Sequence, residues 1–399
     1  MLHKLWRGVC PLMLLLCLWS GCHSAEGISS PSPATPQQTP SPQPTSTPTS
    51  VPAPTPTPDP AETAVQAALS VMSLQQKAAQ LFMPELPSLH PEAFADGAQA
   101  GGYVLFAKDI STWDATRELT DSLTQASAIP PFIGIDEEGG VVSRLYSSGM
   151  ADYARPDTAA AIGQTGDTAT AYQAGVTIGE ALHALGFNLD FAPVVDVLTE
   201  PTNTVIGSRA FGSDPVLVSD MAAAFTRGLH THGILAVPKH FPGHGGTTGD
   251  SHDGYVSVPY DAARLEAVEY LPFARAIEEG AACIMVGHIA APHADTSGLP
   301  ASLSPYFVTE ILRNELGFDG IVITDAMNMG AIAQNYTAAE AAVMAIQAGV
   351  DIVLMPADFE AALRGVIEAV QTGDLSETRL TESAARILRV KFEAGIWTN

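Results

Sequence analysis

The residues that could do chemistry are most concentrated in residues 239–254, which read KHFPGHGGTTGDSHDG. The stretch holds three histidines, one lysine and two aspartates, and imidazoles and carboxylates are the groups that transfer protons near neutral pH. Its five glycines and one proline argue against regular secondary structure. Because it also follows a short apolar run at residues 233–237, we predict a functional loop that leaves the end of a strand.

Two residues are candidates to act directly on a substrate. Asp325 ends the run GIVITD, where a carboxylate could be a nucleophile, a general base or a metal ligand, or could simply cap the next helix. His252 lies two residues after Asp250, whose carboxylate could fix the imidazole tautomer and raise its basicity. An acid/base pair and a separate carboxylate are therefore available.

A zinc site is the alternative interpretation of the same stretch. His240, His244 and His252 could bind the ion together with Asp250. No His-x-Glu or His-x-x-x-His helical spacing supports this. We therefore expect no metal and no other cofactor.

Eight apolar runs have the length and composition of buried strands. They lie at residues 80–86, 102–107, 131–136, 189–194, 235–239, 283–288, 321–325 and 351–355. Segments between them, including 169–185, 214–232, 262–279, 306–316 and 338–349, carry apolar residues at helical spacing. Apolar strands that alternate with helices indicate a parallel sheet covered on its outer face. We predict an α/β fold of the (β/α)8 TIM-barrel type, because eight such units favour it over a doubly wound sheet and no Gly-x-Gly-x-x-Gly fingerprint or P-loop is present.

A barrel would bring the candidate residues together, because such sites lie at the carboxyl ends of the strands. Polar residues follow five of the predicted strands: Asp136, Glu137, Glu138, Asp196, Lys239, His240, His288 and Asp325. This repeated pattern indicates one site at that face more strongly than any single residue does.

The N-terminal region indicates export. Residues 1–21 place basic residues such as Lys4 and Arg7 before an apolar run that is too short for a comfortable membrane span, which is the layout of a signal peptide. The sequence SGC that ends at Cys22 resembles a bacterial lipobox. We predict a cell-surface lipoprotein lipidated at Cys22, with plain secretion as the alternative.

Composition divides the rest of the chain into a linker and one domain. Residues 22–60 are rich in Pro, Ser and Thr and are expected to be a disordered linker, and residues 61–399 are expected to form the catalytic domain. Ser73 and Gln76 predict a capping box at the start of a helix. Cys283 lies in an apolar run and is predicted to be a buried hydrophobic residue rather than a nucleophile. The formal charge of −25 argues against nucleic acid and anionic membrane surfaces as partners.

Five segments together resemble glycoside hydrolase family 3. They are KHFPGHGGTTGDSH at 239–252, IDEEGGVVSR at 135–144, NLDFAPVVDV at 188–197, IGSRAFGSDP at 206–215 and ITDAMNM at 323–329. The first is similar to the β-N-acetylglucosaminidase branch, and the resemblance runs from about residue 73 to the C-terminus. It implies a retaining exo-β-N-acetylglucosaminidase that acts on terminal β-linked N-acetylhexosamine in cell-wall-derived or related glycans.

The resemblance also implies roles for individual positions. Asp325 would be the nucleophile that forms a covalent glycosyl intermediate, and His252, paired with Asp250, would be the general acid/base. The residues implied to bind the sugar hydroxyls are Asp136, Arg144, Arg209, Lys239 and His240. Arg209 and Lys239 could instead be structural ion-pair partners.

Other branches of the family take their acid from a C-terminal α/β domain. Because this chain ends at Asn399, we expect a single catalytic domain without that second domain, and therefore an acid supplied by the barrel. The expected partner is a glycan with terminal N-acetylglucosamine, with membrane contact only through the lipid anchor, and the expected state is a monomer.

Alternatives remain open within and beyond this enzyme class. The chain could be a β-glucosidase, a broad-specificity β-glycosidase, or a phosphorylase that uses phosphate instead of water at the same site. A non-catalytic carbohydrate-binding lipoprotein is the alternative from another class. Such a protein would be expected to have lost Asp325 or His252, and both are present.

Overall fold

The computed structural model describes residues 59–86, 99–150, 152–250 and 254–398. The predicted signal peptide, Cys22, nearly all of the predicted linker and His252 lie outside these residues. The first described helix begins at Pro60 and is capped by the side chain of Asp59, so the last residue assigned to the linker is helical.

Strand positions agree with the predicted apolar runs, although the strands are shorter. The strands of the described ranges are β1 (Phe82–Met83), β2 (Gly102–Val104), β3 (Phe132–Ile135), β4 (Glu137–Gly139), β5 (Val142–Ser143), β6 (Leu189–Asp190), β7 (Leu235–Ala236), β8 (Val256–Ser257), β9 (Cys283–Val286), β10 (Ile289–Ala290), β11 (Ile321–Thr324) and β12 (Val353–Leu354). Eight of them lie inside the eight predicted runs. The other four, β4, β5, β8 and β10, are short strands beyond the predicted strand ends.

Parallel pairing aligns the carboxyl ends of the eight predicted strands. The parallel pairs are β1–β12, β2–β3, β3–β6, β6–β7 and β9–β11. Isolated parallel bridges join neighbouring groups of strands at Glu85–Val104, Phe241–Val286 and Ile323–Ile352. Because these strands run in one direction, the residues that follow them lie at the same end of the sheet, beyond the carboxyl ends of the strands. The architecture is therefore α/β.

Helices connect the parallel strands. They are α1 (Pro60–Val71), α2 (Leu74–Gln80), α3 (Trp113–Gln125), α4 (Arg144–Ser147), α5 (Ala159–Gln164), α6 (Thr168–Ala184), α7 (Pro215–His230), α8 (Ala262–Arg264), α9 (Leu271–Glu278), α10 (Gly330–Ala333), α11 (Ala338–Ala348), α12 (Phe359–Thr372) and α13 (Glu377–Glu393). Short 3-10 turns lie at Ala107–Asp109, Gly207–Arg209 and Ala301–Leu303, and π-helical segments lie at Leu265–Glu269 and Tyr306–Glu315. No helix in the described part of the chain is long and apolar enough to cross a membrane.

Local sequence signals explain several helix boundaries. The predicted capping box is confirmed, because Gln76 N donates to Ser73 Oγ at 3.1 Å and Ser73 N donates to Gln76 Oε1 at 2.9 Å. The helix predicted at residues 262–279 instead contains the π-helical segment. That segment ends just before Pro272, which has no N–H to continue the regular hydrogen-bond pattern.

A buried ion cluster anchors the C-terminal helix at the amino end of β12. Asp351 is fully buried and forms ion pairs with Arg313, Arg379 and Arg386. Ser383 Oγ of α13 also donates to Asp351 Oδ1 at 2.6 Å. Several donors to one buried carboxylate offset its desolvation. This cluster lies at the opposite end of the strand from the predicted catalytic residues, and its role is structural.

Candidate active site

A cavity of about 330 Å³ lies at the carboxyl ends of the parallel strands. Six predicted site residues line it: Asp136, Arg144, Arg209, Lys239, His240 and Asp325. They follow four of the parallel strands, β3, β6, β7 and β11, so parallel pairing is what brings them together. Asp250 is described but does not line this cavity, and the predicted acid/base His252 lies outside the described residues.

Alternating charges cover one wall of the cavity. Lys239 Nζ lies 2.8 Å from Asp136 Oδ1 and 2.7 Å from Glu138 Oε1. Arg209 binds Glu138 through two hydrogen bonds of 2.9 and 2.8 Å, and Arg144 lies 3.2 Å from Asp136. Arg209 and Lys239 therefore are ion-pair partners, as the alternative interpretation held, and they line the cavity as well.

The exposure of the two carboxylates separates their roles. The side chain of Asp136 is 22% exposed and that of Glu138 is 7% exposed. Both oxygens of Glu138 are occupied by the guanidinium of Arg209 and the ammonium of Lys239. Glu138 therefore positions these two cations, whereas Asp136 keeps surface with which to accept hydrogen bonds from a ligand. An ammonium group has three N–H donors, so Lys239 retains one beyond its two carboxylates.

Electrostatics keep this wall ionised. Burial disfavours the charged forms, but the Lys239 ammonium and the Arg144 guanidinium hold the pKa of Asp136 well below its usual range. Lys239 and Arg209 likewise lower the pKa of Glu138 to about 2 despite its burial. Burial opposes the charge of Lys239, yet the two carboxylates raise its pKa above the ordinary value. Fixed charges of this kind can orient polar groups of a ligand without rearranging.

A buried aspartate orients the histidines of the same loop. His240 Nδ1 lies 2.7 Å from Asp196 Oδ2. Asp196 Oδ1 also accepts hydrogen bonds from the backbone N–H groups of His240 and His244, at 3.3 and 2.6 Å. Because a carboxylate accepts, Nδ1 of His240 is the protonated nitrogen, and Nε2 is left for a ligand in the cavity.

Asp325 presents a carboxylate to the cavity from the residue after β11. Its backbone N–H donates to Val286 O at 2.8 Å, and its Oδ1 accepts from Ala326 N at 2.8 Å. Burial would raise the pKa of Asp325, but the neighbouring His240 and His288 and the Ala326 N–H hold it below its ordinary value. An ionised carboxylate at this position can act as a nucleophile.

The alternative role of Asp325 as a helix cap does not fit the structure. The next helix, α10, begins at Gly330, and its capping position is Met329. Asp325 lies five residues before the helix, too far to satisfy the N–H groups of its first turn. The side chain therefore serves the cavity.

His288 is positioned differently from the other strand-end residues. It is fully buried, its Nδ1 lies 2.7 Å from Ser302 Oγ, and its Nε2 lies 3.0 Å from Ala326 O. His288 does not line the cavity. Because it contacts the backbone of the residue after Asp325, it helps to position the nucleophile candidate.

The glycines of residues 243–246 lie in a closely packed part of the loop. Residues 241–247 are all buried. A Cβ atom on Gly245 would lie 1.9 Å from Val197 O, and one on Gly246 would lie 2.5 Å from Tyr260 Oη. These positions need glycine because the backbone packs closely against its neighbours. Of the glycines at 243, 245, 246 and 249, Gly249 is the exposed one.

The predicted zinc alternative gains no support from the described residues. Within the described ranges, no group of three or more His, Cys, Asp or Glu side chains is placed to hold a metal ion. His240 is hydrogen-bonded to Asp196, and His244 Nδ1 lies 2.8 Å from Thr247 Oγ1.

Glu138 is a site residue that the sequence pattern failed to single out. It lies two residues after Asp136, and the side chains of alternate residues in an extended segment point to the same side. Glu137, between them, points into the protein, where it accepts hydrogen bonds from Leu145 N at 3.0 Å and Tyr153 Oη at 3.2 Å. Burial raises the pKa of Glu137 to about 7. The alternation of side chains along an extended segment was the signal that could have assigned Asp136 and Glu138 to the cavity and Glu137 to the interior.

Cys283 is placed as predicted. It is a free, fully buried cysteine in β9, and burial raises the pKa of its thiol. A thiol that resists ionisation is a poor nucleophile. The residue therefore contributes to packing.

Comparison with known proteins identifies similar domains. Residues 73–390 match the model of the glycosyl hydrolase family 3 N terminal domain. The chain is 35% identical to Beta-hexosaminidase A of Pseudoalteromonas piscicida over 317 residues, which cover 73% of this chain and 53% of that protein.

Two solved structures are also similar. A glycoside hydrolase family 3 beta-N-acetylglucosaminidase from Paenibacillus sp. str. FPU-7 is 35% identical, with a TM-score of 0.78, covering 82% of this chain and 64% of that one. The beta-glucoside phosphorylase BglX bound to 2FGlc is 28% identical, with a TM-score of 0.77, covering 84% of this chain and 61% of that one. The chain thus spans less than two thirds of the length of each of these three proteins.

Proposed function

The chain belongs to glycosyl hydrolase family 3, and from that membership we propose that it is a retaining exo-β-N-acetylglucosaminidase. It removes terminal β-linked N-acetylhexosamine from cell-wall-derived or related glycans. The observation that carries the proposal is the cavity in which Asp325 faces the charged wall of Asp136 and Lys239 and the oriented imidazole of His240. Similarity to a beta-hexosaminidase and to a beta-N-acetylglucosaminidase supports the choice of sugar.

The site belongs to a closed (β/α)8 barrel in this proposal. Support comes from the parallel pairs and the isolated bridges, which connect each of the eight strands to a neighbour on both sides. A barrel also explains why residues far apart in the sequence, such as Lys239 and Asp325, line one cavity at the strand ends.

Asp325 is the nucleophile of the proposed reaction. Its carboxylate attacks the anomeric carbon and forms a glycosyl ester, while the bond from that carbon to the leaving oxygen breaks. Water then attacks the same carbon, which releases the sugar with its original configuration and regenerates the Asp325 carboxylate. Asp136, Arg144 and Lys239 bind the sugar hydroxyls, Arg209 is held by Glu138 at the same wall, and His240 orients the ring.

His252, paired with Asp250, is the proposed acid/base. In the first step its imidazolium protonates the leaving oxygen, and in the second its neutral imidazole removes a proton from the attacking water. The support is its place in the DSH segment of the loop that begins at Lys239, since His252 lies outside the described residues. An imidazole of ordinary pKa, about 6.5, can exchange a proton near neutrality.

The acid role predicts a dependence on the leaving group. For His252→Ala we expect kcat/KM to fall about 10²- to 10⁴-fold with a poorly acidic alcohol as the leaving group. With a nitrophenolate as the leaving group, which needs little protonation, the rate of the first step should fall far less. Measuring both substrates with the variant and the wild type checks this, and equal losses on the two would exclude His252 as the acid. The exposed His183→Ala in α6 is the matched control.

The substrate assignment is tested by the wild-type protein alone. We expect kcat/KM for a nitrophenyl β-N-acetylglucosaminide to exceed that for the matching β-glucoside by at least about 10-fold, because binding differences between closely related substrates reach this size. Assays should run with and without added inorganic phosphate. Equal or better cleavage of the glucoside would identify a β-glucosidase or a broad-specificity enzyme instead.

A phosphorylase is the second candidate, favoured by the similarity to a beta-glucoside phosphorylase. In that reaction a phosphate oxygen, instead of water, attacks the anomeric carbon of the intermediate, and the product is a sugar 1-phosphate. A phosphate-dependent rate with sugar 1-phosphate as the main product would select this alternative.

The location of the enzyme is likewise proposed from the N-terminal sequence. Export as a lipoprotein, with Cys22 lipidated and residues 22–60 as a tether, would hold a monomeric catalytic domain outside the cytoplasm. Secretion without the lipid is the alternative. Mass measurement of the mature N-terminus distinguishes a lipidated Cys22 from an unmodified one.

A further inference from the structure

Met355 has an unusual backbone conformation at the edge of the cavity. Among the residues that the structure describes, it is the one non-glycine residue with a positive φ, at 45°, and it lines the cavity. This region is unfavourable for residues that carry a Cβ atom. Pro356 follows it, and proline further restricts the backbone of the residue before it. Such conformations persist where the surrounding structure holds them, and they concentrate at functional sites.

Two neighbouring strands hold this conformation. Met355 N donates to Met83 O of β1 at 2.9 Å, and Leu354 O accepts from Met327 N, also at 2.9 Å. Met327 lies two residues after Asp325. The backbone of Met355 is therefore fixed on the strand end beside the one that carries the proposed nucleophile.

The cavity also has an apolar part of its lining. It includes Val104 and Phe106 from the end of β2 and the loop after it, and Leu354 and Met355 from the end of β12. Val104 and Leu354 are almost fully buried, whereas Phe106 and Met355 are partly exposed. The ring of Phe106 is covered by the Arg144 guanidinium, 5.3 Å from its centroid, and lies 5.7 Å from the Lys108 ammonium. Met355 is thus the partly exposed apolar side chain on the strand next to Asp325.

The proposed substrate carries an acetamido group that could contact the Met355 side chain. This step rests on the proposed function. The anomeric carbon must lie at Asp325, and the carbon that carries the acetamido group is bonded to it. That group is therefore within reach of the two strand ends that flank β11, those of β9 and β12. On the β9 side, Met285 lines the cavity but is only 3% exposed, and His288 is fully buried and bonded to Ser302 and to Ala326 O.

We propose that Met355 determines the specificity for the acetamido substituent by packing its thioether side chain against the acetamido methyl group. The flexible, polarizable side chain of methionine adapts to a small apolar group. A β-glucoside has a hydroxyl at the same carbon and gains nothing from this contact. The strained backbone is the feature that directs the side chain into the cavity.

Met355→Gly tests the proposal with little risk to folding, because glycine adopts a positive φ without strain. We expect kcat/KM for the nitrophenyl β-N-acetylglucosaminide to fall about 10-fold, the size expected for one lost apolar contact, and that for the β-glucoside to change less than about 2-fold. The variant should also accept larger acyl groups: the rate on an N-butanoyl glucosaminide relative to the N-acetyl substrate should rise.

Controls separate this role from a general effect on the site. Met355→Ala should lose the same selectivity and unfold at a lower temperature than Met355→Gly, since alanine keeps the backbone strain. Met329 is another methionine that lines the cavity. Met329→Ala should change kcat/KM for the two substrates by the same factor. An active wild type whose preference for the N-acetyl substrate survives Met355→Gly would overturn the inference alone. A wild type without that preference would overturn the substrate assignment of the proposed function.

Discussion

Asp325→Ala is expected to lower kcat/KM for an aryl β-N-acetylglucosaminide by about 10⁴-fold or more, the size of loss seen when a catalytic nucleophile is removed. The reason is that, among the described residues that line the cavity, the other two carboxylates are already paired: Asp136 with Lys239 and Arg144, and Glu138 with Arg209 and Lys239. Folding should be retained, since the side chain accepts a hydrogen bond only from its own neighbour among the bonds observed.

A chemical rescue sharpens this prediction. Azide can occupy the space left by the Asp325 carboxylate and attack the anomeric carbon, so Asp325→Ala with azide should release an α-glycosyl azide at an increased rate. Asp114→Ala, which removes an exposed carboxylate in the first turn of α3, should stay within about 2-fold of the wild type. Substantial residual hydrolysis by Asp325→Ala without azide would show that another group is the nucleophile.

Lys239→Met is expected to have the second largest effect, on stability as well as activity. The Lys239 side chain is 3% exposed and lies between Asp136 and Glu138. Removing one partner of a buried ion pair costs about 3–5 kcal/mol of unfolding free energy, because the remaining charge is left without compensation. Activity should fall with it, since the pair of carboxylates would repel each other and move. Denaturant unfolding and steady-state kinetics measure the two effects.

The pH dependence of this variant has a definite sign. In the wild type, the depressed pKa values of Asp136 and Glu138 contribute stability that is present above their unfolded pKa values and is lost as pH falls through the folded ones. Without Lys239, burial raises both folded pKa values, and the folded variant takes up protons more readily. Its deficit relative to the wild type should therefore be smaller at pH 5 than at pH 7.

Lys108→Met is the matched control for this ion pair. Lys108 pairs with Glu85, but its side chain is 54% exposed, and exposed pairs contribute about 0–1 kcal/mol because water and salt screen them. A loss of the same size in Lys108→Met and Lys239→Met would contradict the account of the charged wall.

Strand positions could be predicted from the sequence because buried parallel strands are continuous apolar runs between turn-forming residues. Their lengths could not, because apolar residues continue past the last paired residue. Residues 191–194 are buried, yet β6 ends at Asp190. The pairing is resumed only as an isolated bridge between Val194 and Lys239. Apolar side chains indicate which residues are buried, whereas the length of a strand depends on hydrogen bonds to the neighbouring strand.

The site was predictable as a set of residues but not as a geometry. Six of the residues expected from the family resemblance line one cavity. The partner that fixes Arg209 is Glu138, 71 positions away in the sequence, and no local pattern reports such a contact. The glycines at 243, 245 and 246 show a related limit, because the sequence does not distinguish a glycine needed for freedom from one needed for lack of a Cβ atom. The positive φ of Met355 could not be predicted from the neighbouring sequence, since a methionine before a proline predicts an extended backbone.

The central claim is that Asp325 becomes covalently bonded to the sugar, and trapping that bond tests it most directly. The full-length protein should be incubated with a 5-fluoro-N-acetylglucosaminyl fluoride, whose fluorine slows hydrolysis of the intermediate, and then digested and examined by mass spectrometry. The account predicts one added sugar on the peptide that contains Asp325, and no addition in Asp325→Ala. A label on a different residue, or rapid turnover in Asp325→Ala, would contradict it.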